Sequence, residues 1–295
     1  MDIERVGILY NGRIPEAHSL AGRIAAFLER RVEGVQVCAI DDIADALCLP
    51  GVDLLVTLGG DGSILQAAGL AAAHRALILG INLGRVGFLS EAETGQWEDV
   101  LSRALAGDYW IEERMMLRAT SWRGSEMMTE GTALNDVVVG RGARGRAVHL
   151  RAEVDGGELA CYVADGLIVA TPTGSTAYAL AAGGPILPPQ LRNILLVPVA
   201  PHLSMGRPVV LAEGVTVQIT AIGRRRAVLM VDGRAEVELV RGETVTVEAS
   251  PHVARFARVC EQTYFYRTLV SRLVPRNGGQ MSGCCGPRSE RARTV

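Results

Sequence analysis

The segment Leu58-Gly59-Gly60-Asp61-Gly62-Ser63 sets one carboxylate among three glycines, directly after the apolar run Asp53 to Leu58. Glycine at 59, 60 and 62 removes side chains that would keep phosphate oxygens away from backbone N–H groups. Residues Ile64 to Ala73 read as a helix whose positive dipole end points at the same spot. A carboxylate in a turn suited to anions is repelled by what the turn binds, so Asp61 needs a task. Two tasks fit: holding a divalent metal against phosphates, or accepting a proton from an attacking hydroxyl. The competing reading is a tight strand-to-helix turn with Asp61 as helix N-cap, which an isolated Gly-Asp-Gly would favour. A buried strand immediately before the turn moves the balance to phosphate chemistry, because open α/β sheets bind ligands beyond the carboxyl ends of their strands. The motif alone does not name a substrate.

Two further stretches offer binding chemistry. Asp165-Gly166 opens an apolar run that leads into Thr171-Pro172-Thr173-Gly174-Ser175-Thr176-Ala177-Tyr178, a loop of hydroxyls and free N–H groups with one aromatic face. Read locally, Ser175 or Thr176 caps a short helix and Tyr178 packs in the core; read functionally, Tyr178 meets a nucleotide base. Asn135-Asp136, before Val137-Val138-Val139, is either an Asx turn or a bidentate pair for ribose hydroxyls. By contrast, Gly140-Arg141-Gly142-Ala143-Arg144-Gly145 matches a dinucleotide-binding fingerprint by letter only. Ala147 to Val154 has no helical face, so the pyrophosphate-binding helix end is missing and a hairpin loop is expected.

These residues need a scaffold. The first third alternates strand-like runs (Val6–Tyr10, Val35–Ile40, Asp53–Leu58, Ala76–Ile81) with helical periodicity over Pro15–Arg31 and Ile64–Ala73. That β-α-β-α-β order predicts an α/β N-terminal domain with an open, mostly parallel, Rossmann-like sheet. After about residue 114, short β-branched runs (137–139, 149–154, 166–170, 194–199, 215–220, 227–231, 244–248) alternate with glycine-rich turns, predicting a β-rich, β-sandwich-like C-terminal domain. Thr176–Ala182 reads as a short helix within it. The expected boundaries are 1–113, 114–255, a closing segment 256–274 that packs back on the first domain, and a disordered tail 275–295.

Composition excludes several classes. The 32 acidic residues outnumber the 30 basic ones slightly, for a net charge of −2, which disfavours nucleic acid as a partner. No apolar run reaches the ~18 residues of a spanning helix, and no leader pattern precedes Val6, so a cytoplasmic protein with no membrane partner is expected. Every basic residue is arginine, which rules out a Walker lysine, a Schiff base and a lysine general base. The six cysteines and five histidines show neither zinc nor disulfide spacing, and no residue is assigned as a metal ligand.

Together the motifs resemble the ATP-NAD kinase family over roughly residues 5 to 270. The matching pieces are Gly59–Ser63, Gly80-Ile81-Asn82-Leu83-Gly84 with Gly87-Phe88-Leu89, Asn135–Val138, Asp165-Gly166, Thr171 through Tyr178 to Gly183-Gly184-Pro185, and Pro201-His202 with Ser204 and Arg207-Pro208. The Thr-Pro-Thr-Gly-Ser-Thr-Ala-Tyr block separates the chain from phosphofructokinases and lipid kinases, which the glycine-rich turn alone leaves open. Gln66 stands where members often carry Arg or Lys, and Arg234 where Gln is common. The resemblance implies transfer of the ATP γ-phosphate, or a polyphosphate group, to the 2′-hydroxyl of the adenosine ribose of NAD, giving NADP. It implies Asp61 as the proton acceptor or hydroxyl-orienting group beside Gly59, Gly60 and Gly62, and Asn135 and Asp136 on the ribose and nicotinamide side. Arg146 would be a basic substrate contact. Asp165 and the helix start Thr176, Ala177, Tyr178, Ala179, Leu180 and Ala181 would hold the dinucleotide. It further implies a divalent metal, usually Mg²⁺, with ATP, and a homodimer or homotetramer whose subunits contribute to each other's sites.

Overall fold

The computed structural model describes residues 3–41, 51–84, 87–142, 146–202 and 204–273. The expected disordered tail, with Cys284-Cys285, lies outside the described residues. The chain forms two units, Met1–Glu112 with Arg255–Val295, and Glu113–Ala254.

The first unit begins with β1 (Arg5–Tyr10), α1 (Pro15–Leu28), β2 (Gly34–Ala39), β3 (Leu54–Gly59), α2 (Asp61–His74), β4 (Leu77–Asn82), β5 (Ala92–Glu93) and α3 (Trp97–Leu105). The strands run in the order β2-β1-β3-β4, all parallel, with Val6 opposite Val35 on one side and Leu54 on the other. Each residue of β3 and β4 is buried, as a parallel strand covered on both faces requires. Pro15 starts α1, where its missing N–H costs nothing, and Leu20, Ile24 and Leu28 recur on one face. That face packs with Leu54, Val56 and Leu58 of β3. Truncating any of these leucines to Ala costs about 2–5 kcal/mol.

The second unit is antiparallel. β6 (Trp110–Arg123) enters it and pairs with β7 (Glu126–Ala133), followed by β8 (Asp136–Arg141), β9 (Val148–Val154), β10 (Gly157–Ala164) and β11 (Gly166–Ala170). The short helix α4 (Tyr178–Ala181) precedes β12 (Asn193–Val199), β13 (Val209–Ala212), β14 (Val217–Ala221), β15 (Ala227–Val231), β16 (Arg234–Leu239) and β17 (Thr244–Arg258). One layer holds β10-β9-β14-β17 and the other β13-β12-β11-β8-β15-β16. Leu150, Ile219 and Val247 of the first layer share a core cluster with Val139, Leu167 and Leu229 of the second. The α/β and β-rich architectures are therefore those expected. The hairpin loop expected over Gly140–Gly145 falls partly on residues outside the described ones; the strands flanking it, β8 ending at Arg141 and β9 starting at Val148, lie in different layers and do not pair.

β17 runs ten residues beyond the expected Glu248, to Arg258. Its last residues belong to the first unit, where Arg255 and Phe256 pair in parallel with Leu77 and Ile78 of β4. α5 (Tyr264–Leu273) follows. Cys38 is disulfide-bonded, which the cysteine spacing did not indicate. No helix among the described residues is long and apolar enough to cross a membrane, a statement that leaves β-barrels untouched.

Candidate active site

In the first unit β3 delivers the chain to Gly59, and α2 begins two residues later with Gly60 as its N-cap. Asp61 is thus the first helical residue, not the cap. Its carboxylate turns away from its own helix and accepts the N–H of Phe88 at 2.8 Å through Oδ2 and that of Leu89 at 3.3 Å through Oδ1. Gly87 makes this possible, because a Cβ there would overlap the Asp61 carboxylate. Gly59 is needed by the fold, since a Cβ would meet the Ser63 side chain. Gly60 and Gly62 are different: a Cβ at either would meet nothing within 4 Å. Packing does not ask for glycine there, whereas a ligand approaching the unpaired amides of a helix N-terminus would.

In the second unit the Asn135-Asp136 turn is held from outside by Asp232. The Asp232 carboxylate accepts the N–H of Leu134 at 2.8 Å, Asn135 at 2.8 Å and Asp136 at 3.1 Å. Asp232 sits at φ 46° in the Asp232-Gly233 turn between β15 and β16, and aspartate tolerates this left-handed conformation better than most residues. Burial, and secondly the Asp232 charge, pushes the Asp136 carboxyl up to about 7. Asp232 is also raised by burial, partly offset by its three amide donors.

The Thr171–Thr176 loop closes against the same turn. Thr171 N–H donates to Asn135 O at 2.9 Å, and its hydroxyl donates to Leu134 O at 2.5 Å. A Cβ at Gly174 would strike the Asn135 carbonyl, so the approach of the two segments requires glycine. The Ser175 hydroxyl donates to Pro172 O at 2.6 Å and accepts the Leu187 N–H at 2.9 Å. It pins the loop and does not cap α4, whose N-cap is Ala177. Ala179 is buried and packs with Ile168, while Thr176, Ala177, Leu180 and Ala181 are at least partly exposed. Tyr178 is 45% exposed, so it is not the core residue that the local reading expected.

Asp165 and Arg146 stand apart from this cluster. Asp165 precedes β11 and pairs with Arg141 at 3.3 Å, whereas Asn135 and Thr171 lie at the other end of the β8–β11 pair. The five residues of β11 separate Asp165 from Thr171, six steps along the strand or about 20 Å. Arg146 is exposed just before β9. Sequence reasoning missed Asp232 and the dependence of Asp61 on Gly87; only the Asp-Gly pair between two strand-like runs hinted at the former.

The glycine-rich turn, the Asn135-Asp136 turn and the hydroxyl loop now have defined geometry, and their family follows from comparison. Residues 40–109 match the ATP-NAD kinase N-terminal domain and residues 134–259 the ATP-NAD kinase C-terminal domain. An NAD kinase of Chloroflexus aurantiacus is 38% identical over 272 residues, 92% of this chain and 99% of that protein. The chain belongs to the ATP-NAD kinase family. Its enzymatic activity is that of an NAD kinase. An NAD kinase of Heliobacterium modesticaldum is 40% identical over 88% of this chain and 95% of its own. A crystal structure of an Archaeoglobus fulgidus NAD kinase in complex with ATP superimposes with a TM-score of 0.67 at 27% identity, covering 91% of this chain and 98% of that one. The yeast NADH kinase complexed with NADH has the same fold, with a TM-score of 0.81 at 24% identity over 95% of this chain and 91% of its own.

Transfer of a phosphoryl group calls for neutralisation of its negative charge. Among the described residues no group of three or more His, Cys, Asp or Glu could hold a metal. Mg²⁺ is usually held by one or two carboxylates together with substrate phosphates, so the lone Asp61 carboxylate fits that ion and not an all-protein cage.

Proposed function

We propose that Asp61 accepts the proton of the adenosine 2′-hydroxyl of NAD as that oxygen attacks the γ-phosphorus of ATP. The new P–O bond forms, the bond to the β-phosphate breaks, and ADP leaves with NADP as product. The observation that carries this reading is the Asp61 carboxylate, fixed by two backbone N–H groups at the head of α2 beside glycines that packing does not require. Each carboxylate oxygen keeps a lone pair for an incoming proton. Amides of Gly60, Asp61 and Gly62 bind phosphate oxygens, and the α2 dipole favours their charge. Phosphoryl transfer asks mainly for such positioning and charge neutralisation.

Asn135 and Asp136 accept hydrogen bonds from ribose hydroxyls, Tyr178 stacks on a base, and the segment Thr176 to Ala181 lines the dinucleotide. Asp165 and Arg146 complete the NAD contacts. The roughly 20 Å between Asp165 and Thr171 along the strand supports a homo-oligomer in which one subunit's Asp165 serves another subunit's dinucleotide. Asp61, together with the ATP phosphates, would hold a divalent metal, Mg²⁺ by preference, which would supply charge neutralisation. The balanced charge supports a cytoplasmic enzyme with no nucleic-acid partner.

The test is the purified chain with Mg-ATP and NAD, coupled to an NADP-specific dehydrogenase, with polyphosphate and EDTA as further arms. NADP forms, EDTA stops it, and Asp61→Asn lowers turnover at least ~100-fold while NAD still binds. No NADP with any donor sinks the activity; full turnover in Asp61→Asn sinks only the role of Asp61.

A further inference from the structure

Leu89 is gripped from both sides. Its N–H donates to Asp61 Oδ1 at 3.3 Å, and its carbonyl accepts from Nη1 of Arg258 at 3.0 Å. Arg258 ends β17 within the same unit and is fully buried. Its Nε donates to Glu112 Oε2 at 2.8 Å, Nη1 also to Glu91 Oε2 at 3.1 Å, and Nη2 to the Tyr264 hydroxyl at 3.3 Å. The Tyr264 hydroxyl in turn donates to Glu112 at 3.0 Å, and Glu91 Oε1 accepts the N–H groups of Val259 and Cys260 at 2.9 and 2.8 Å. Each of the three guanidinium nitrogens has a partner.

Such a cluster is a poor device for stability. One cation faces two buried carboxylates, and desolvating the three groups offsets most of their attraction. Apolar side chains of similar volume would hold β4, β5 and β17 together as well. What apolar packing cannot do is hold the backbone on both sides of one α-carbon. Arg258 fixes the carbonyl that follows the Leu89 α-carbon and Glu91 the register two residues on, so the chain is anchored directly after the Phe88 and Leu89 N–H groups that meet Asp61. Lysine could satisfy one or two of these acceptors, but a point charge cannot reach them all.

We propose that Arg258 is a positioning residue for phosphoryl transfer, acting on Asp61 through Leu89. The inference rests on Asp61 being the proton acceptor. It is tested by Arg258→Lys in the full-length enzyme, in the wild-type and the Asp61→Asn background. The readouts are kcat, KM for NAD and ATP, and the NAD dissociation constant by calorimetry. In the wild-type background kcat falls roughly 10- to 100-fold, while both KM values and the dissociation constant stay within about twofold. In the Asp61→Asn background the same substitution has little further effect, because the group it positions is gone. Equal fold-losses in both backgrounds, a loss carried by KM, or unchanged kcat would each overturn the inference and leave the role of Asp61 intact. Full activity of Asp61→Asn alone removes that role and this inference with it. If Arg258→Lys does not fold, Tyr264→Phe removes one partner of the fork. It is expected to lower kcat about three- to tenfold with the same dependence on background, and unchanged kcat there overturns the inference.

Discussion

Asp136 and Asp232 clasp each other: the Asp232 carboxylate accepts the Asp136 N–H at 3.1 Å, and the Asp136 carbonyl accepts the Asp232 N–H at 2.9 Å. The clasp brings two buried carboxyls together and has a pH signature. Burial first, then the Asp232 charge, raises the Asp136 carboxyl from 3.8 to about 7. The folded protein therefore holds this proton more tightly than the unfolded chain does. The stability it contributes, at most ~4 kcal/mol, is complete below 3.8 and is lost as pH rises to about 7. Urea midpoints should fall between about pH 4 and about pH 7 and level off above, and Asp136→Asn should flatten that slope. Substrate affinity should move the other way. An ionised Asp136 is the better acceptor for ribose hydroxyls, so NAD affinity should rise as pH passes about 7. Affinity independent of pH over that range would argue against a ribose contact.

Gly87 and Gly174 should fail differently when changed to alanine. A Cβ at Gly87 meets only the end of the Asp61 side chain, which can swing aside. Gly87→Ala should fold with a stability loss of about 1 kcal/mol or less, yet lose turnover by roughly 100-fold. A Cβ at Gly174 meets the Asn135 backbone carbonyl, which cannot yield alone. Gly174→Ala should cost about 1–3 kcal/mol or more in urea unfolding. Paired measurements of kcat and unfolding midpoint separate the two cases, and a folded, fully active Gly87→Ala would contradict the placement of Asp61.

Tyr178 offers a cleaner separation of binding from folding. Its ring is 45% exposed, so Tyr178→Ala should shift stability by no more than about 0.5 kcal/mol. Lost stacking on a base should raise KM for NAD about two- to tenfold, with kcat largely kept. Tyr178→Phe should restore the wild-type KM, since stacking needs the ring and not the hydroxyl.

The parallel sheet was readable because β3 and β4 are buried on both faces and so appear as unbroken apolar runs bounded by glycine. β6 and β7 were not readable. β6 mixes fully buried and half-exposed stretches without alternation, and β7 (Glu126–Ala133) carries two glutamates, a glycine and exposed methionines. α3 was overlooked although Trp97, Val100, Leu101 and Ala104 recur at helical spacing, because nine residues hold barely two turns. The β-branched run ends at Glu248, whereas β17 continues through Ser250-Pro251 to Arg258. Of the candidate site, the turns at Asp61 and Asn135-Asp136 were legible because each lies within one contiguous motif. The site was opaque where function depends on pairing distant residues, as with Asp232 and Leu134 or Gly87 and Asp61. Such contacts are set by tertiary approach, which local spacing does not encode.

The return of β17 to lie beside β4 means that the first unit is assembled from both ends of the chain. During synthesis its edge strand arrives only after the whole second unit has been made, so this unit cannot mature as a nascent-chain intermediate on its own. Until Arg258 emerges, β4 lacks its last partner and Glu91 and Glu112 lack their buried cation. A ribosome stalled, or a chain cleaved, after Ala254 would therefore leave a protein with the residues of the glycine-rich turn in place but no finished sheet to carry them.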